Sequence, residues 1–371
     1  MSKFILLQLF LFLIMSCQIE KAGYEIFETP DGVRVTKNKN YPNSPDFVLN
    51  KKFLFSIDQI ITGGQAEGSL SRNVAVDDSN NIFYTYGGKL YKLNDKGSLV
   101  KTFGGKGFGP GELGSESIDV NGVFIINDTL SVFLEKQHKV NLYDLDGNFI
   151  ESKRLDFFNF TEKNFLQFQQ GITPISEQKY IRFVSFRNDK QIGTSLSIVD
   201  NNGYKLNIIS NLAAKNGKMF DDVNLMMLKY TFAHNKIYVA KNSTEFFEIE
   251  VFDLSGNLAA KVKKNYKRVP LPLFLRPEGD GLLSIQSIEV DKYERIWIYS
   301  AEDINMDFMG NDKIVENGAL YQLFSPDGVY INKIDLNTDE YKIIKIFFIK
   351  DKMYVVVSDA DEEAKTLVFD Y

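Results

Sequence analysis

The sequence predicts an all-β fold, a six-bladed β-propeller whose last blade is closed by the N-terminal strand. Three observations carry this. Beyond residue 50, short runs of Val, Ile, Phe and Tyr alternate with polar residues and stop at Asn, Asp and Gly turns, the period-two pattern of half-buried strands. A four-strand unit recurs along the chain. The sixth copy stops after three strands, while an unpaired strand stands at the other end, at residues 47–60.

The copies follow in order. The clearest is NVAVDDSNNIFYTYGGKLYKLNDKGSLVKTF, residues 73–103. The second is residues 118–155, and the third ends in LSIVDNNGYKLNIIS at 196–210. The fourth is residues 234–264, the fifth joins 288–300 to 319–335, and the sixth is 346–371. Turns between third and fourth strands fall at Gly97, Gly147, Gly203, Gly256 and Gly328. Their spacing of roughly 50 to 70 residues is somewhat longer than the usual 40–50-residue blade repeat. A blade buries its faces only against its neighbours. FVLNKKFLFSIDQI, residues 47–60, is therefore expected to complete blade six and remove an exposed sheet edge.

Composition agrees with a folded domain. The chain has 371 residues, 44% hydrophobic, with 31 Phe, 18 Tyr and one Trp. A net charge of −6 argues against a nucleic-acid partner, which needs a basic face. One cysteine, Cys17, excludes an intramolecular disulfide, and two histidines exclude a three-histidine metal site.

The chain opens MSKFILLQLFLFLIMSC. The apolar run from Phe4 to Met15 is about 18 Å long as a helix, too short for a hydrocarbon core of about 30 Å. Residues 1–16 read as a signal peptide. The ending Leu13-Ile14-Met15-Ser16-Cys17 resembles the lipobox of bacterial lipoproteins, with Met15 an unusual residue at its place. That resemblance implies lipidation of Cys17, and Gln18 after it leans toward the outer membrane. Residues 17–46, with Pro30, Pro42 and Pro45, are expected as the lipidated N-terminus and a flexible tether, within which 32–35 could pair locally. Residues 47–371 are the expected propeller.

GGKGFGPGEL, residues 104–113, does not fit a nucleotide site. A phosphate loop needs Gly-Lys-Ser/Thr opening a helix; here no Ser or Thr follows Lys106, and strands lie on both sides. The loop reads as a blade junction, with a shorter relative at 62–70. Together with the following IDV strand and the run Glu135 to Gly147, it resembles NHL-repeat propellers, and more closely the six-bladed β-propeller lipoproteins of bacterial envelopes. Gln137-His138-Lys139 stands where the family has its N-H-R/L element. The resemblance implies the fold; the functions attached to the family are scattered.

Other chemistry is sparse. Asp144-Leu145-Asp146-Gly147-Asn148 begins like a calcium loop, but its twelfth position is Leu155, where a bidentate Glu is required. An ordinary hairpin turn explains it better. His138 is expected to have a structural role, His234 has no evident partner, and Trp297 is expected in the core. No catalytic triad is legible, so no catalytic residue is assigned. Related propellers include lactonases that use Glu, Asn and Asp around calcium on the channel axis, which leaves a calcium-dependent hydrolase or lactonase as the alternative. No metal ligand or cofactor is assigned, calcium being the one open possibility.

In a propeller, the loops between blades and those joining second to third strands share one face. There blade five carries a long insertion, Ala301 to Gly318, and blade six an acidic loop at 359–363. Long loops on a rigid scaffold are where binding usually lives. The expected partner-binding rim comprises Asp303, Asp307, Phe308, Asp359 and Asp361. The expectation is a monomeric, lipid-anchored envelope protein that binds a protein or glycan partner without catalysis.

Overall fold

A computed structural model describes residues 23–58, 74–114, 120–134, 137, 139–154, 166–176, 178–187, 191–200, 205–215, 228–241, 243–269, 282, 284–303, 320–336, 342–358 and 364–371. Blade one is β4 (Val74–Val76), β5 (Ile82–Tyr86), β6 (Lys89–Leu93) and β7 (Leu99–Phe103). Blade two is β8 (Val120–Ile126), β9 (Thr129–Leu134), β10 (Lys139–Asp144) and β11 (Phe149–Arg154). Blade three is β12 (Leu166–Ser176), β13 (Lys179–Arg187), β14 (Gln191–Asp200) and β15 (Lys205–Lys215). Blade four holds β16 (Tyr230–Ala233), β17 (Lys236–Ala240), β18 (Phe247–Phe252) and β19 (Leu258–Lys264). Blade five is β20 (Ile285–Val290), β21 (Ile296–Ser300), β22 (Leu320–Phe324) and β23 (Tyr330–Asp335).

Blade six is built from both ends of the chain. β24 (Lys342–Ile349), β25 (Lys352–Ser358) and β26 (Ala364–Asp370) supply three strands, and β3 (Lys52–Asp58) supplies the fourth. β3 runs antiparallel to β26, pairing Leu367 with Ser56 and Lys365 with Asp58. The ring closure predicted from the incomplete sixth repeat is therefore present.

The hydrophobic core is divided among the seams between blades. One cluster joins Phe247 and Ile249 of blade four to Ile288 and Phe324 of blade five. Another joins Trp297 and Tyr321 to Ile346 and Met353 of blade six. Tyr354 and Val368 meet Val74 and Tyr84 across the closing seam. Phe83 and Leu90 meet Val123 and Val132 between blades one and two. Phe133 and Val140 meet Ile172 and Tyr180 between blades two and three, and Ile181 and Ile198 meet Ile237 and Val239 between three and four. A middle strand is thus covered on both faces and loses its alternation: β18 is buried at every residue, whereas β11, at the rim, is exposed at every residue.

The turns between third and fourth strands lock these seams. In blade two, Asp144 accepts the Asn148 amide at 2.7 Å and its side-chain NH2 at 2.8 Å, while the Gly147 amide donates to the Asp144 carbonyl at 3.0 Å. Gly147 has φ +80°, and a Cβ there would lie 2.6 Å from the Phe103 ring on the outer strand of blade one. A side chain at this position is excluded twice, by backbone conformation and by the neighbour's ring.

The N-terminal segment expected as a tether is folded from Gly23 onward. β1 (Tyr24–Glu28) and β2 (Arg34–Asn38) form a hairpin, and β2 pairs in parallel with β19, making blade four six-stranded. The local pairing expected at 32–35 is part of this hairpin. Asn38 anchors it. Its side chain donates to the carbonyls of Lys263 (3.1 Å) and Gly328 (2.8 Å) and accepts the Tyr330 amide at 2.8 Å. The chain then crosses the outside of blade five, where Asn43 and Ser44 donate backbone bonds to Tyr330 and Ile331, before entering blade six as β3.

Candidate functional site

The predicted rim grows from the end of β21. There the chain enters a short 3-10 turn, Ala301–Asp303, whose last residue is Asp303. Asp307, Phe308, Asp359 and Asp361 lie outside the described residues, as does Cys17. The structure describes the stem from which the long insertion leaves.

Three segments meet in that stem. Ser284, just before β20, donates its amide to the Ser243 carbonyl (2.7 Å) and its hydroxyl to the Phe246 carbonyl (2.8 Å). Its own carbonyl accepts the Ser300 hydroxyl at 3.0 Å and the Ala301 amide at 3.2 Å. Ser284, Ser300 and Ala301 are fully buried. The second-to-third-strand loop of blade four, the entry to blade five and the start of the insertion are therefore one unit.

Glu302 completes it. One carboxylate oxygen accepts Lys264 Nζ at 2.6 Å, and the other accepts the Lys267 amide at 2.8 Å. The Lys264 side chain is only 2% exposed, with its ammonium 5.5 Å from the centre of the Phe247 ring and 5.6 Å from that of Tyr330. Beside it, Arg268 pairs with Glu245 at 3.0 Å, and burial pushes the Tyr266 phenol up to about 12. Phe246 stands half exposed at the edge. Carboxylates and cations here hold one another, so the arrangement supplies rigidity to a loop rather than a poised proton or nucleophile. Sequence reasoning missed the Glu302–Lys264 pair: the two lie 38 residues apart, and no motif or period links them.

The glycine loop at 104–113 is a joint. The Gly107 and Gly114 amides bond to each other's carbonyls, Leu113 donates to Gly105, and Glu112 takes the Gly109 amide at 2.6 Å. Tyr143 Oη donates to the Gly111 carbonyl at 2.6 Å, and Lys139 donates to the Gly109 carbonyl at 3.0 Å. These amides are engaged within the protein and do not form a cradle for phosphate.

The remaining sequence candidates are structural where they are described. The Asp144 carboxylate is held below its usual range, chiefly by the Asn148 hydrogen bonds. His234, for which the sequence offered no partner, has one: Nε2 donates to the Asp291 carbonyl of blade five at 2.7 Å. Trp297 is fully buried, as expected, and its indole N–H donates to Asp291 at 2.9 Å. His138 lies outside the described residues. Among the described residues, no group of three His, Cys, Asp or Glu is placed to hold a metal ion, and no helix is long and apolar enough to cross a membrane.

The model of the family DUF5128, described as a 6-bladed beta-propeller, matches residues 68–268, more than half of the chain. The protein belongs to this six-bladed propeller family. The family match and the six seams agree on the fold. Among solved structures, a member of the duf4221 family from Bacteroides vulgatus is similar at 10% identity and a TM-score of 0.51, covering 95% of this chain and 98% of that one. A Bacteroides fragilis protein named as exported is similar at 11% identity and a TM-score of 0.48, over 90% of this chain and 99% of that one. A gluconolactonase from Xanthomonas campestris is similar at 11% identity and a TM-score of 0.41, over 80% and 85%. At 10% identity the likeness to the duf4221 member speaks to the fold alone. No curated protein matches the chain.

Proposed function

We propose that this protein is a lipid-anchored propeller of the bacterial cell envelope that captures a protein or glycan partner on the rim formed by the blade-five insertion and the blade-six loop at 359–363, without catalysis of its own. The observation that carries the reading is the stem. A long insertion rich in acids and containing Met306, Phe308 and Met309 leaves the scaffold at a point clamped by the buried Glu302–Lys264 pair. Loops that bind gain from such a base, because less freedom is lost on capture. The lipobox-like ending at Cys17 and the Gln18 that follows support an outer-membrane anchor.

The test replaces residues 304–317 with a short Gly-Ser linker, leaving Glu302 in place. Crosslinking and affinity capture from the native envelope are expected to lose the partner while the melting temperature is unchanged. Undiminished capture overturns the reading. Melting with calcium and with EDTA separates it from a calcium-dependent hydrolase on the channel axis. Superimposable curves are expected, and a large calcium-dependent shift supports the hydrolase.

A further inference from the structure

We infer that the outside of blades four to six, wrapped by residues 23–58, is the side on which the propeller rests against the bilayer. The inference rests on the proposed lipidation of Cys17.

Geometry carries the first step. Gly23 is buried and pinned: its carbonyl accepts the Lys39 amide at 2.8 Å, and a Cβ on it would lie 2.5 Å from Asn43 and 2.8 Å from Tyr41. Five residues, 18–22, separate it from Cys17. Even fully extended, that length of chain spans at most about 20 Å. An acylated Cys17 therefore holds Gly23 close to the lipid surface and fixes which side of the ring is nearest.

The surface around Gly23 has interfacial chemistry. Ile26, Phe27, Tyr41, Val48 and Phe53 are exposed along the wrap. Lysines sit over its rings: Lys37 Nζ lies 4.8 Å from the Phe27 centroid and Lys39 Nζ 5.6 Å from that of Tyr41. Aromatic rings with lysines beside them suit the headgroup region, where apolar bodies bury and ammonium groups meet phosphate. Across the wrap, residues 23–58, five bases (Arg34, Lys37, Lys39, Lys51 and Lys52) stand against five acids (Glu25, Glu28, Asp31, Asp46 and Asp58), a neutral balance in a chain of net charge −6. Glu25, Glu28 and Asp31 lie on the hairpin's first strand and turn, Asp58 ends β3, and Arg34 is engaged by Asp327, so the contact is carried by the exposed rings and the ammonium groups beside them and not by net charge. The rim and the wrap then divide the labour: the loop face reaches along or away from the membrane while blades four to six hold the ring in place.

The test uses the full chain isolated in its envelope form, with acylation of Cys17 read by mass spectrometry. Trp297, the only tryptophan, is buried and sets the background. Tyr41→Trp and Ile150→Trp place reporters on the wrap and on β11, the exposed outer strand of blade two, which stands opposite blade five in the ring. Each variant is reconstituted into vesicles of phosphatidylcholine and phosphatidylglycerol carrying brominated acyl chains. The Tyr41→Trp signal is expected to fall by about half relative to unbrominated vesicles, and the Ile150→Trp signal to stay at background. An acylated chain in which neither reporter is quenched, or both are quenched equally, overturns the docking side and leaves the lipidation standing. A chain without an acyl group at Cys17 overturns both.

Discussion

The ring of Phe55, on the closing strand β3, lies over Gly97, in the third-to-fourth-strand turn of blade one. A Cβ on Gly97 would sit 2.5 Å from that ring. The same relation holds between Gly147 and Phe103, Gly256 and Asn207, and Gly328 and Val262. In each, the turn glycine of one blade packs on the fourth strand of the blade before it, and Phe55–Gly97 extends the rule across the point where the two ends of the chain meet.

Gly97→Ala is therefore expected to destabilise the protein by about 3 kcal/mol, combining a left-handed backbone cost with overpacking. Gly87→Ala is the control. Gly87 also has positive φ, at +57°, but nothing lies within 4 Å of its Cβ position. It should cost about 1 kcal/mol. Midpoints of urea unfolding check the difference, and equal losses would show that the Phe55 contact contributes nothing.

Asn38→Ala should cost about 3 kcal/mol, because it strands the Tyr330 amide and the Gly328 carbonyl in a buried seam. The variant should also expose the N-terminal hairpin to limited proteolysis near Gly32 before the propeller unfolds. Hydrogen exchange at Val35 and Lys37 reports the same event, and protection equal to wild type would count against Asn38 as the anchor.

The propeller was legible because its repeat is local: each blade carries its own turn signals and period-two strands, and an incomplete last copy announces the closing strand. The hairpin was harder to read. Only residues 33–35 alternate, and the second partner of β2, beside β1, is β19, more than two hundred residues away and parallel, so no turn marks that pairing. The stem is less legible still. Glu302 and Lys264 are ordinary charges in sequence, and only the ring brings them together in a buried seam. Asp303 was singled out by the length of the insertion, a signal of where the chain leaves the scaffold and not of what it touches.

Acid should weaken blade four. Burial pushes Glu248 up, but the Lys263 hydrogen bond and the Lys261 and Lys263 charges outweigh it and hold the carboxyl below its usual value of 4.5. A carboxyl depressed in the fold contributes stability that is full above the unfolded pKa and is lost as pH falls through the folded one. Glu248 is linked to Lys263 at 2.8 Å and Lys261 at 3.3 Å, on a strand buried throughout. Melting between pH 7 and pH 3 should show a decline beginning near pH 5. Glu248→Gln should lower stability at pH 7 and make that decline shallower, and an unchanged slope would remove Glu248 from the acid response.

Glu302→Gln tests whether the stem is held by charge or by shape. Glutamine keeps an acceptor for the Lys267 amide but leaves the Lys264 ammonium, 2% exposed, without its counter-charge. Breaking a buried pair on one side costs about 3 kcal/mol, whereas replacing both partners with neutral groups of similar volume is often close to neutral. Glu302→Gln should therefore be markedly less stable than the double variant Lys264→Met/Glu302→Gln. The double variant should return to within about 1 kcal/mol of wild type. If partner capture depends on a rigid stem, the single variant loses capture and the double variant regains it in step with stability. If capture follows the Glu302 carboxylate itself, both variants lose it, and the residue belongs to the binding surface rather than to its support.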